Sequence, residues 1–139
     1  MRWERTAEVD TIAPPERVWA ALLDGRRWSS WNPGVEWMTV EGPLERGTVV
    51  TFKPKGAPQT ASRIEAVEPE RRLALVVTIG PVAALRLAWE LTPRAEGTSL
   101  SQRVAIEGPL AGVLLRRAAE RIAAGMEANL QRLAEGVKT

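Results

Sequence analysis

Residues 3 to 11 alternate. Trp3, Arg5, Ala7, Val9 and Thr11 fall on one side, and Glu4, Thr6, Glu8 and Asp10 on the other. A period of two with one charged side predicts a half-exposed strand, with Arg5 as the misfit on its inner face. Ala13-Pro14-Pro15-Glu16 closes that strand and opens a helix, because the missing N–H of proline is unpaired in a first turn anyway. Val18, Trp19, Leu22 and Leu23 follow at helical spacing, and Asp24-Gly25 stops the run. A short second helix is predicted around Arg26 to Trp31, broken by Asn32-Pro33-Gly34.

From residue 35 to 107 the pattern is strands punctuated by turns. The strands run from Val35 to Glu41, Thr48 to Lys53, Gln59 to Val67, Arg72 to Ile79, Ala83 to Thr92 and Thr98 to Glu107. Leu73, Leu75, Val77 and Ile79 share a face, as do Leu85, Leu87, Trp89 and Leu91. Short turns between regular strands argue a consecutive antiparallel meander. After Gly108-Pro109 the period changes. Apolar residues recur at Leu110, Val113, Leu114, Ala118, Ile122, Met126, Leu130 and Leu133, with arginines and glutamates filling the other sides. A helix over about 109–135 would be roughly 40 Å long, enough to lie across a whole curved sheet. The order is strand, two short helices, six strands, one long helix. An open sheet with one apolar face needs a cover, and the last helix is the only large candidate. The fold class is α+β, in one domain over residues 1–139.

Composition narrows the chemistry. The 139 residues contain no Cys, His or Tyr, while six of the seven aromatics are Trp. Disulfides, Cys/His metal sites, a Cys nucleophile and a Ser-His-Asp triad are excluded. Any general acid or base must be Asp, Glu or Lys, or a perturbed group of another kind. No metal and no cofactor is expected. Nineteen basic against seventeen acidic residues leave a net charge of +2, and sixteen of the basic residues are Arg. The isoelectric point of about 9.7 follows from having almost nothing that titrates between carboxylates and amines. The charges are interleaved and form no basic stripe, so no nucleic-acid partner is expected. No stretch approaches the roughly 20 apolar residues of a membrane span. The charged first ten residues do not look like a signal peptide, and a cytoplasmic protein is expected. Gly42-x-x-x-x-Gly47-Thr48 lacks the lysine of a phosphate loop and leads into a strand, so it reads as a turn.

Three segments carry a resemblance. Ala13 to Asp24, with Arg27-Trp28 and Trp31-Asn32-Pro33, resembles the opening of the START-like superfamily, and within it the bacterial polyketide cyclase/dehydrase-type (SRPBCC) branch. Glu41 to Leu44 with Gly47-Thr48, and Gly97-Thr98 through Glu107-Gly108-Pro109-Leu110, are similar in the same order. The resemblance implies a helix-grip fold: a seven-stranded antiparallel sheet around a long C-terminal helix, with a cavity between them. Members bind lipids, sterols, polyketides or plant hormones, and some catalyse cyclisation or hydration. A fold of this kind does not settle a function, so the site must carry that argument.

The candidate site residues are those that could line such a cavity. Five Trp lie at positions 3, 19, 28, 31 and 37 and the sixth is Trp89. Their rings can pack the small helices onto the sheet, or line an apolar pocket and stack on a flat ligand. Trp19 is read as core; Trp28 and Trp31 match family positions; Trp37 and Trp89 sit on strands facing either way. Arg5, Arg63 and Gln102 are polar residues in strands, costly on an apolar face unless partnered, and able to fix a ligand's polar end. Arg86 alternates outward from Leu85 and Leu87, and Asp24 closes the first helix. Leu114, Ile122 and Met126 are placed on the inner face of the last helix, where the resemblance implies one wall of the cavity. Gly125 lies beside them, either easing close approach to the sheet or leaving room.

The expected partner is a small hydrophobic molecule, lipid-like or polyketide-like. A cyclase or dehydratase is the alternative, weakened by the missing His and Tyr. A partner-binding module like the START-like co-chaperones is a third, and a homodimer stays open under each.

Overall fold

The computed structural model describes residues 2–138. Seven strands form one antiparallel sheet in the order β1-β7-β6-β5-β4-β3-β2. They are β1 (Arg2–Thr11), β2 (Val35–Val40), β3 (Val49–Pro54), β4 (Thr60–Glu68), β5 (Arg72–Ile79), β6 (Ala83–Arg94) and β7 (Gly97–Glu107). From β2 onward each strand pairs with the next in sequence; β1 alone crosses over, to pair with β7 from Arg2↔Glu107 to Thr11↔Thr98. The crossover carries α1 (Pro15–Leu23), a 3-10 turn at Gly25–Arg27, and α2 (Trp28–Trp31). The helix-grip architecture and the meander are as the sequence implies.

The alternation seen in the sequence sets the faces. Leu85, Leu87, Trp89 and Leu91 of β6 and Leu100, Gln102, Val104 and Ile106 of β7 point into the grip and are buried. Leu73 and Leu75 of β5, Ile64 of β4, Val50 of β3 and Met38 of β2 complete the inner face. Charges fill the outer face, where Arg86 bonds Glu65 at 3.0 Å and also pairs with Glu107. Bulges at Glu36 and Glu65 bend the sheet there.

The last helix differs from expectation. It is not continuous over 109–135 but breaks at Leu115 (φ −121°, ψ −12°) into α3 (Ala111–Leu114) and α4 (Arg116–Gly136). Leu115 and Ala119 are buried where Leu114 and Ala118 were expected, and Leu114 is 46% exposed. The cause is geometric. The expected stripe stepped by four from 114 to 130, and each step of four drifts about 40° on a helix of 3.6 residues per turn. Steps mixing three and four, through Ala119, Met126, Leu130, Leu133 and Val137, stay on the face that packs on β1 and β7.

Two ends of the grip can be distinguished. One is sealed by α1, α2 and the end of α4. There Thr11 donates to the Ala134 carbonyl at 3.0 Å, and Thr98 donates to the Ala13 carbonyl at 2.8 Å. Gly25 lies against the Met38 backbone so closely that any Cβ would collide with the carbonyl, which lets the 3-10 turn settle on β2. The opposite end holds the β3–β4 and β5–β6 turns and α3. There the apolar side chains Phe52, Val77, Val82 and Ile122 are only half-buried.

Candidate functional site

The sealed half of the grip is built around three indoles. Trp28 and Trp31 are brought inward by α2, with ring centroids 4.9 Å apart. Trp89 reaches Trp28 from β6, edge-on at 5.6 Å. Trp28 is anchored by its indole N–H, which donates to the Leu22 carbonyl at 2.8 Å. The other two are not. Trp31 Nε1 and Trp89 Nε1 are buried donors with no partner, and Gln102 Oε1 is a buried acceptor with no partner. Trp89 and Gln102 are cross-strand neighbours on the inner face, in register across β6 and β7.

These orphans stand out against their surroundings. Four polar residues are buried among the described residues, and Thr11, Ser62 and Thr98 are all hydrogen-bonded. Only Gln102, 5% exposed, has a fully enclosed oxygen left unmatched. An unpaired polar atom in an apolar interior costs about 1–3 kcal/mol. Two unmatched donors and one unmatched acceptor in the same apolar interior form an incomplete hydrogen-bonding set. Trp3 Nε1 is also unpaired, on the edge strand β1, where the Arg5 and Arg116 guanidinium groups lie 4.5 and 5.5 Å from its ring. The unbonded Arg72 and Arg116 Nε atoms lie 3.7 and 3.5 Å from Glu90 and Glu120, within ion-pair reach.

The structure divides the candidate residues. Trp28, Trp31, Trp89, Gln102 and Met126 come together inside the grip, and Ile122 packs half-buried toward the unsealed end. Four others lie elsewhere. Arg63 is on the outer face, exposed, and donates to the Gly47 carbonyl at 2.9 Å; pairing with Val49 and Val76 fixes it there. Trp37 stands half-buried on the outer face beside Lys53, because the bulge at Glu36 leaves Met38 rather than Trp37 pointing inward. Leu114 is exposed for the helical reason given above. Arg5 has the inner-face register but belongs to an edge strand; it folds over Trp3 and donates to the Glu4 carbonyl at 2.8 Å. Gly125 serves no close approach, since an added methyl would meet only Asn129, at 3.5 Å.

No charged side chain is buried among the described residues, and none of their acidic clusters could hold a metal ion. The polar atoms inside the grip are therefore those of neutral side chains. Two surface clefts, of about 280 and 460 Å³, lie outside the grip. The first runs between α1, α2 and the end of α4 and touches Trp31, the second lies beside the β5–β6 turn, and neither reaches Trp89 or Gln102.

Residues 2–138 match the family model for polyketide cyclase/dehydrase and lipid transport proteins. The chain belongs to that family. Its fold is shared by the Zhui aromatase/cyclase from Streptomyces sp. R1128, with a TM-score of 0.71 at 15% identity over 99% of this chain and 94% of that one. Ara h 8.0201 superposes with a TM-score of 0.72 at 12% identity, covering 99% and 98% of the two chains. TTHA0849 from Thermus thermophilus is 25% identical with a TM-score of 0.70, and 97% of each chain is covered. No curated protein matches the chain.

Proposed function

We propose that this family member binds a small, neutral, mostly apolar molecule between the sheet and α4, and holds one hydroxyl group of it against the indoles Trp31 and Trp89 and the amide oxygen of Gln102. The unmatched set of two donors and one acceptor carries this reading. A hydroxyl accepts from an indole N–H and donates to an amide oxygen, so one such group completes most of the set. Desolvation of the remaining apolar surface supplies the affinity, at about 25 cal/mol per Å² before ordering costs. An anion is disfavoured, because no cation shares its low-dielectric surroundings. Entry is through the unsealed end, where Phe52, Val77 and Ile122 are half-buried.

A cyclase or dehydratase role has family membership behind it. It requires a group that can take or give a proton beside the substrate, and the buried residues supply only indoles, an amide and three hydroxyls already bonded to backbone carbonyls. Binding is the better supported of the two. The reading takes the chain as one domain acting in the cytoplasm, without a nucleic-acid partner and with a homodimer left open.

The test is a titration with 2-naphthol and 2-naphthoate, following the six indole N–H signals by NMR beside native mass spectrometry of gently purified protein. Saturable shifts of the Trp31 and Trp89 signals with 2-naphthol, and much weaker ones with 2-naphthoate, are expected. No shift at either indole and no co-purified molecule would sink the reading.

A further inference from the structure

Five large apolar side chains are exposed among the described residues, and four of them lie at the unsealed end: Ile79, Leu110, Val113 and Leu114. They form one tip. The Leu110 N–H donates to the Val82 carbonyl at 3.0 Å, which ties the start of α3 to the β5–β6 turn that follows Ile79. Val113 and Leu114 are held on α3 by bonds of 3.2 and 2.9 Å from their N–H groups to the Leu110 carbonyl. Val113 is 82% exposed. No stability argument places it there, since burial of such a side chain is favourable wherever it can be had.

The tip wears a basic collar. The segments at this end are residues 2–5, 34–37, 52–61, 77–84 and 106–121, and they hold seven basic and four acidic residues. All four carboxylates are engaged: Glu4 with Arg2, Glu36 with Lys53, Glu107 with Arg86 and Glu120 with Arg116. Lys55, Arg117 and Arg121 make no ion pair among the described residues. Arg117 and Arg121 are one helical turn apart, near the start of α4.

We infer that this end docks on an anionic lipid surface, with Leu110, Val113 and Leu114 entering the apolar boundary and Arg117 and Arg121 meeting the headgroups. Apolar insertion and cationic attraction are the two signals whose combination holds a protein on a bilayer when neither suffices alone. Shape favours a lipid over a folded protein. The exposed side chains sit on a one-turn helix and a turn, and a fluid surface conforms to such a patch where a protein would need a matching shape. The inference does not rest on the interior ligand and goes beyond the proposed function.

The experiment is vesicle flotation of the full chain, with phosphatidylcholine alone and with phosphatidylcholine mixed with phosphatidylglycerol, at low and high salt. The protein should float with the mixed vesicles at low salt, and about tenfold less with neutral vesicles or at high salt. Val113→Asp/Leu114→Asp should abolish flotation, and Arg117→Glu/Arg121→Glu should weaken it about tenfold. Circular dichroism checks that each variant is folded, and Val113→Ser/Leu114→Ser replaces the aspartates if they disturb α3. Three results would overturn the inference. One is no flotation of the wild type with anionic vesicles; another is undiminished flotation of both double variants. The third is a dimer in gel filtration that Val113→Asp/Leu114→Asp dissolves without any vesicle binding, which would make the tip a contact between two copies.

Discussion

Gln102 and Trp89 face each other across two paired strands with unmatched polar ends. Unpaired buried polar atoms cost stability, and the proposed hydroxyl-bearing guest would pair them. Replacing Gln102 by Met keeps the volume and removes the stranded acceptor. Gln102→Met should leave the denaturant midpoint unchanged or raise stability by about 1 kcal/mol, and should weaken 2-naphthol binding about tenfold. Thr98→Val is the control: its hydroxyl is bonded at 2.8 Å, so the same kind of change should cost about 1 kcal/mol or more. If both substitutions destabilise alike, Gln102 is satisfied in solution and loses its special place. Gln102 and Trp89 were legible in the sequence as a polar residue and an indole among alternating apolar positions. What could not be read was that the three other buried polar residues are bonded and this one is not. Arg63 shows the opposite limit. Its strand parity is ambiguous until pairing with Val49 and Val76 sets it outward.

At the scale of elements, the period of two carried further than the period of 3.6. Strand parity has only two outcomes, and a run such as Leu85, Leu87, Trp89, Leu91 decides between them. Helical phase is continuous, and a stripe chosen one residue off still looks amphipathic. Leu114 and Leu115 are adjacent leucines on either side of that error. Leu115→Ala should cost about 2–4 kcal/mol of unfolding free energy and Leu114→Ala less than about 0.5. Urea melts of the two variants decide it; equal losses would restore the continuous stripe. The bulge at Glu36 did the same to Trp37, turning it outward by one inserted residue that no composition rule announces.

At the scale of the whole molecule, one end of the grip is closed by hydrogen-bonded threonines and indoles, while the other carries half-buried apolar side chains. A guest that binds only the folded chain adds to its stability by mass action. At about a hundredfold excess over its dissociation constant, 2-naphthol should raise unfolding free energy by about 2.7 kcal/mol, and 2-naphthoate at the same concentration much less. Thermal melts with each compound test this; equal shifts would mean that charge is tolerated inside and that the neutral-ligand reading fails.

The amino-acid sequence by itself determined the order of elements, the antiparallel meander, the family resemblance and the exclusion of cysteine and histidine chemistry. Those follow from local periodicity, turn residues and composition, which need no distant contact. Only the tertiary structure decided which polar atoms are left without partners, which indoles face inward, and where apolar side chains stay in the open. Each depends on what another segment brings alongside: Val76 beside Arg63, Met38 in place of Trp37, Val82 holding Leu110 at the rim. Burial and hydrogen bonding are properties of pairs, and the pairs are made by the fold.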